Sequence, residues 1–220
     1  MNAEPPISRL QVEHQPRRPG YARRYVARSD PSLKTDKMTS LPTFKYHPDP
    51  LDTGNVVQSD IECVCCGKQR GYIYTGPVYA VEEYDNEICP WCIADGTAHE
   101  KLDAEFHDSE GVPGWAFMDC PEVSEDIIEE ICWRTPGFAG WQQEQWATCC
   151  DDAAAFLGRA GHKELNERWP GAIEAIQDST GLDDAEWTSF FRALQRAGAP
   201  TAYVFQCLHC KKLTGYQDTD

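Results

Sequence analysis

Two cysteine pairs, Cys63-Val64-Cys65-Cys66 and Cys89-Pro90-Trp91-Cys92, stand 22 residues apart and constrain this chain more than any other feature. A soft divalent metal takes four ligands at the corners of a tetrahedron, and a Cys-x-x-Cys turn supplies two of them from one short piece of backbone. Two such turns make a closed four-thiolate site. The pattern predicts a zinc ribbon in which each pair occupies a tight knuckle and a β-hairpin joins the knuckles. Gly67, directly after the first pair, supplies the positive φ that closes a knuckle. The ligands selected in this way are Cys63, Cys66, Cys89 and Cys92, with Cys65, in an x position, a bystander or a weak alternative. Buried or redox thiols without a metal are the other reading of the same residues. A closed site of this kind organises a fold and performs no reaction.

With 220 residues, 41% of them hydrophobic, the chain is long enough for one sizeable core or two small domains. No apolar run approaches the roughly 20 residues that span a bilayer, and no charged-then-apolar leader opens the sequence. A cytoplasmic location is therefore expected. The 11 cysteines are odd in number and several are clustered in pairs, which fits reduced thiolates on metal better than a secreted disulfide framework.

The net charge of −16 is unevenly spread: residues 1–37 hold eight Lys/Arg against four Asp/Glu, leaving 12 basic and 32 acidic residues in the remainder. A balance of −20 over that remainder repels phosphate backbones, which nucleic-acid binders must neutralise with Lys and Arg.

Residues 1–40 are expected to be a disordered basic arm, because Pro5-Pro6, Pro16-Arg17-Arg18-Pro19-Gly20 and Arg23-Arg24 come with few periodic apolar residues. Translation from Met38 is an alternative account of that segment. Residues 41–110 are expected to form the zinc-ribbon module. Its extended start carries several prolines, Gly71–Tyr74 and Val78–Val81 read as two strands around Gly76-Pro77, and a helix follows with Ala98, Leu102 and Phe106 near helical spacing.

Residues 111–220 read as mainly helical. Ser124 caps a helix bearing Ile127, Ile128 and Ile131 and stopped by Thr135-Pro136-Gly137; a second helix covers Asp151 to Ala160. A third runs from Leu182 to a stop at Gly198, with Trp187, Phe190, Phe191 and Leu194 as a core stripe. A strand at Thr201–Phe205 then delivers a last pair, Cys207-Leu208-His209-Cys210. The fold class is α+β.

Cys207 and Cys210 form a half-site that needs two further ligands. Cys149 and Cys150 are the first candidates, with His162, His209, Cys120 and Cys132 in reserve. Two adjacent cysteines reach one ion only from a turn or a helix start, which Asp151-Asp152 makes plausible. A redox Cys-x-x-Cys is the rival, though no βαβ pattern surrounds it. One or two zinc ions are thus expected. Histidines 99 and 107 read as surface or internally satisfied groups.

The segments Leu41-Pro42-Thr43-Phe44-Lys45-Tyr46-His47-Pro48-Asp49-Pro50, Cys63-x-x-Cys66-Gly67-Lys68, Ile88-Cys89-Pro90-Trp91-Cys92-Ile93-Ala94-Asp95-Gly96, Arg134-Thr135-Pro136-Gly137, Gly140-Trp141-Gln142 and Cys149-Cys150-x-Asp152 together resemble the CbrC family of bacterial proteins. The resemblance spans residue 41 to the C-terminus. It implies a link to colicin tolerance and to a cell-envelope regulon, without an established biochemical activity.

Three functions are weighed on these grounds. The first is a zinc-binding protein that engages a protein partner in stress or colicin tolerance. The second is a zinc-dependent enzyme, built from His47, Asp49 and Asp52 or from a polar pocket at Trp141-Gln142-Gln143-Glu144 with Asp151 and Asp152. The third is a nucleic-acid-binding ribbon. Turn and capping preferences account for the acidic residues of the second more simply.

The charge asymmetry predicts that any affinity for DNA or RNA at about physiological salt resides in residues 1–37. Fluorescence anisotropy on the full chain and on a chain starting at Met38 checks this. Salt-sensitive, submicromolar binding by the shorter chain would contradict it.

Overall fold

The computed structural model describes residues 40–112 and 122–219, all of which belong to one compact unit, Asp36–Asp220. The expected arm, up to residue 39, and Cys120 lie outside the described residues. The architecture is α+β, with helices around small antiparallel sheets.

The cysteine-rich part begins with strand β1 (Val56–Gln58) paired antiparallel to β2 (Tyr72–Tyr74), Val57 opposite Ile73. The expected pairing of Gly71–Tyr74 with Val78–Val81 does not form. The β-branched Val56-Val57 run supplies the partner edge instead, and Tyr79 exchanges backbone hydrogen bonds with Glu105 at 2.8 Å in an isolated bridge. Helices α1 (Pro90–Ala94) and α2 (Thr97–Leu102) follow, interrupted at Asp95-Gly96, where one helix was expected. Phe106 still enters the same core, fully buried, from beyond the helix.

Helix α3 (Glu125–Arg134) forms where expected, with Ser124 in the N-cap position and Thr135 leaving the helix, but the Ser124 side chain makes no capping hydrogen bond. The segment Asp151–Ala160, read above as a helix, instead forms strands. β3 (Thr148–Cys149) pairs with β4 (Asp152–Ala153), and β5 (Ala155–Ala160) pairs antiparallel with β6 (Thr201–Gln206). Alanine-rich composition favours a helix, but tertiary burial decides here: Ala153, Ala154 and Ala155 are all buried. Gly158, at φ 129°, takes a conformation no helix contains.

After β5 come α4 (His162–Glu167), α5 (Ile173–Thr180) and α6 (Asp184–Ala193), the first two unforeseen in sequence. α6 is capped by Asp183, whose carboxylate accepts from the Ala185 and Glu186 amides, both at 2.9 Å. It ends before Leu194, well short of the expected stop at Gly198. The last strand, β7 (Leu213–Asp218), completes a sheet of order β5-β6-β7. The C-terminal portion therefore holds more sheet than expected, and its Cys-x-x-Cys turn sits between two strands instead of ending the chain.

β6 is buried on both faces, and its alternation assigns each side chain to a core. Tyr203 and Phe205 join Phe138, Trp146 and Phe156 on one side; Ala202 and Val204 join Leu165, Ile176 and Trp187 under the helices on the other. Phe138 stacks on Phe156 with ring centroids 4.0 Å apart. Among the described residues, no helix is long and apolar enough to cross a membrane.

Buried His47 ties the chain's start to the segment after α3. Its Nδ1–H donates to the Pro136 carbonyl at 2.6 Å, and Nε2 accepts from the Thr53 hydroxyl at 2.7 Å. Burial pushes the imidazole pKa from 6.5 down to about 4. His107, packed against Phe138 and Trp146, is pushed down to about 4 by the same cause. In the unfolded chain these groups protonate near their ordinary value, so the stability they contribute is complete above it and declines as pH falls from 6.5 towards 4. Denaturant unfolding across that window is expected to show a loss of about 3 kcal/mol per histidine. His47→Gln should remove roughly half of the two-histidine slope; an unchanged slope would contradict this assignment.

Candidate metal centres

The first cysteine pair occupies the connection between β1 and β2. Its turn is closed by Gly67, at φ 63°, whose N–H donates to the Cys63 carbonyl at 2.7 Å, while the Cys63 N–H donates to Lys68 O at 3.1 Å. The second pair does not sit on a matching knuckle. Cys89 is the N-cap of α1 and Cys92 lies within that helix, with Pro90 in its first turn. The hairpin expected to join two knuckles is thus replaced by a hairpin that carries one pair and a helix that carries the other.

The four sulfurs of Cys63, Cys66, Cys89 and Cys92 lie within 4.8 Å of one another. The Cys63–Cys92 and Cys66–Cys89 separations are both 3.9 Å, and Cys89–Cys92 is 3.6 Å. Ligands about 2.3 Å from a central ion at tetrahedral angles stand about 3.8 Å apart, whereas a disulfide needs about 2.05 Å. All four cysteines are free, and the group can hold a metal ion. Cys65 lies outside the group, its carbonyl accepting from Lys101 Nζ at 3.3 Å.

The thiols divide their protons unevenly. A hydrogen bond from Cys89, helped by backbone amides, pulls Cys63 down to about 4, and the same bond pushes Cys89 up; burial pushes Cys92 up. One sulfur is poised to ionise while its neighbours resist. A bound cation removes that conflict by stabilising the thiolates together.

The second tetrad is assembled by two hairpins. Cys149 ends β3, and Cys150 with Asp151 forms the tight turn into β4, at φ 54° and 58°. Cys207 and Cys210 occupy the turn between β6 and β7. This turn repeats the first knuckle: the Cys207 N–H donates to Lys212 O at 2.9 Å, and Lys211 takes φ 63° where the other turn has Gly67. The four sulfurs again lie within 4.8 Å of one another, with Cys149–Cys150 and Cys149–Cys210 each at 3.7 Å. Burial opposes ionisation of Cys207, yet amides of Cys210 and His209, each 3.4 Å from its sulfur, hold it down at about 6.

Asp152 joins these two hairpins. Its carboxylate accepts from the Tyr46 hydroxyl at 2.6 Å, from Lys45 Nζ at 3.0 Å and from its own neighbour's amide, Ala153, at 2.9 Å, and it meets His209 Nε2 at 2.9 Å. Burial pushes this carboxyl up, but the hydrogen bonds from Tyr46, Lys45 and His209 outweigh it and hold the pKa at about 2. Sequence reasoning placed Asp152 in a helix cap or pocket and kept His209 as a reserve ligand. Contacts of 57 and 106 residues' separation carry no local signal.

The remaining candidates are engaged elsewhere. Asp49 accepts from the Asp52 amide at 3.0 Å and Asp52 pairs with Arg168 at 3.1 Å, and among the described residues they form no group of potential metal ligands with His47. A polar hollow of about 230 Å³ does adjoin Gln142 and Gln143, lined also by Gln145, Tyr216 and Asp218, but neither Asp151 nor Asp152 reaches it. There Asp218 accepts from the Trp141 and Gln142 amides at 2.7 and 2.9 Å, which spends its carboxylate on the loop. Glu144 accepts from Tyr79 at 2.8 Å. His99 stacks on Trp133 at 4.0 Å, His162 packs against Phe191, and Cys132 is a buried thiol outside both tetrads.

Fold and sites together define an α+β protein with two all-cysteine clusters, each able to hold a metal ion. The chain belongs to the uncharacterised protein family UPF0167, whose profile matches residues 41–219 and so includes both clusters. It is 45% identical over 194 residues to UPF0167 protein Mb2317 of Mycobacterium bovis, covering 86% of this chain and 98% of the relative. UPF0167 protein MT2352 of Mycobacterium tuberculosis matches to the same extent. UPF0167 protein PA1536 of Pseudomonas aeruginosa is 41% identical over 171 residues, or 77% of this chain and 92% of that protein. No solved structure matches.

Cys89→Ser is expected to lose one metal ion together with solubility, since structural zinc contributes on the order of 10 kcal/mol in small domains. Cys65→Ser should leave both nearly unchanged. Elemental analysis and thermal melts of the two variants check this, and metal loss in Cys65→Ser with retention in Cys66→Ser would reverse the choice of ligands.

Proposed function

We propose that this protein is a zinc-binding factor in which both tetrads carry zinc and that it acts by engaging a protein partner. The observation that carries the reading is the donor set: four sulfurs per cluster, at separations that suit a tetrahedral thiolate site. Zinc fits such a set, having no geometric preference of its own beyond four close ligands, and a sphere filled by cysteine leaves no position for substrate or activated water. When bound, the ion cross-links segments distant in sequence and neutralises crowded thiolates. The acidic balance of the chain from residue 38 onward supports a protein partner over a phosphate backbone. A part in stress or colicin tolerance follows from the CbrC resemblance and is proposed on that ground alone.

Elemental analysis of protein purified without added metal is expected to give two zinc ions per chain. Cobalt substitution should then produce the charge-transfer and ligand-field bands of tetrahedral thiolate coordination. Immobilised holoprotein should retain a protein partner that the chelator-stripped form does not, and nuclease treatment should leave that retention unchanged. Iron in place of zinc, or retention that nuclease abolishes, would overturn the reading.

A further inference from the structure

The two tetrads offer the same ligands in opposite settings. In the first, Cys63, Cys89 and Cys92 are 0–2% exposed and belong to a core with Val56, Ile73, Ile88 and Phe106. The elements that hold them are two strands of three residues and helices of five and six. Hairpins and helices this short are marginal in isolation, so an ion there is part of what holds the core closed. In the second tetrad only Cys207 is buried, and Cys150 and Cys210 are exposed.

The scaffold of the second tetrad has supports other than an ion, even though its β3 and β4 strands, at two residues each, are no longer than those of the first. Its β6–β7 hairpin runs through six paired positions into the central sheet, and that sheet is packed on both faces. Its β3–β4 hairpin follows fully buried Trp146, whose Nε1–H donates to Ala154 O at 2.9 Å. The His209–Asp152 contact, with Tyr46 and Lys45 on the same carboxylate, fastens one hairpin tip to the other through groups that are not sulfur. The four thiols are thus held together by the fold, and two of them face solvent.

We propose that the second tetrad is an exchange site whose substrate is Zn²⁺, loaded from and surrendered to thiolate-bearing zinc carriers, while the ion of the first tetrad stays fixed. This rests on the reading that both tetrads hold zinc. Exchange proceeds by ligand substitution. A carrier thiolate approaches over the exposed side formed by Cys150 and Cys210 and bonds to zinc as one cysteine sulfur leaves and takes a proton from water. Repetition transfers Zn²⁺ to the carrier, and the protons that the carrier thiols shed to water on ionising are those that the released cysteines take up. No electrons move, and loading is the reverse. Asp152 is a positioning residue in this scheme, touching no zinc and keeping the emptied tetrad assembled.

The test begins with the two-zinc holoprotein, challenged with a chromogenic dithiol or pyridylazo chelator while circular dichroism is followed in parallel. One zinc equivalent is expected to leave in a separate fast phase with the spectrum unchanged, and the second only as the spectrum collapses. Re-added zinc should restore the first equivalent in full. Cys210→Ser and Cys150→Ser should each lose the fast equivalent and keep the slow one. Asp152→Asn should weaken zinc binding at the fast site by about tenfold or more and leave the slow site untouched. Release of both equivalents in one phase, collapse of the spectrum with the first, or a fast phase that survives in Cys210→Ser would overturn the exchange site while leaving the two-zinc reading intact. Fewer than two zinc ions in the starting protein would overturn that reading first, and the exchange site with it.

Discussion

Burial of β6 on both faces is the constraint on which the C-terminal half of the molecule depends. A strand in that position must satisfy its backbone through neighbours on either edge, because water reaches neither face. β5 and β7 are those neighbours, and the register that pairs Phe156 with Phe205 and Tyr203 with Tyr216 follows from which residues must face the aromatic core. A one-residue slip would drive Tyr203 and Phe205 into the space that Ala202 and Val204 occupy beneath the helices. The same register fixes where the strand ends, and so where Cys207 and Cys210 stand.

Both Cys-x-x-Cys turns on strands use one device, the first cysteine's amide bonded to the carbonyl five residues on, with a left-handed residue after the second cysteine. One turn fills that left-handed position with glycine and the other with lysine, which tolerates it at an energetic cost. Similar loops are nevertheless embedded differently. The first lies in a core made partly of its own sulfurs, so that any ion held there would be part of the packing. The second projects from a sheet that is complete without it, and the Asp152 carboxylate carries the link between hairpins that the ion would otherwise have to supply.

The α+β class and the clustering of Cys63, Cys66, Cys89 and Cys92 were readable because their signals are local. A Cys-x-x-Cys spacing is a short-range statement about one turn, and two of them require little else to be grouped. Helices α3 and α6 were legible for the same reason: Ser124 and Asp183 stand at their starts, and apolar residues recur at helical spacing behind them. The grouping of Cys149, Cys150, Cys207 and Cys210 was reached by completing a half-site, an argument from ligand count that named the residues without the hairpins that carry them.

Where sequence reading failed, long-range pairing had overruled local preference. Asp151–Ala160 is rich in alanine and looks helical, yet β6 offers it an edge and buries Ala154, Phe156 and Ala160 in the cores beside it. β7 shows little alternation, and Gly76-Pro77 resembles a hairpin turn whose flanking runs pair with other partners. The sequence by itself determined which sulfurs stand together in one turn, because ligand chemistry and turn spacing are written in neighbouring residues. Only the tertiary structure decided how each sulfur meets solvent and which carboxylate braces the second group, because burial and contacts across 106 residues belong to the packed chain and to no segment of it.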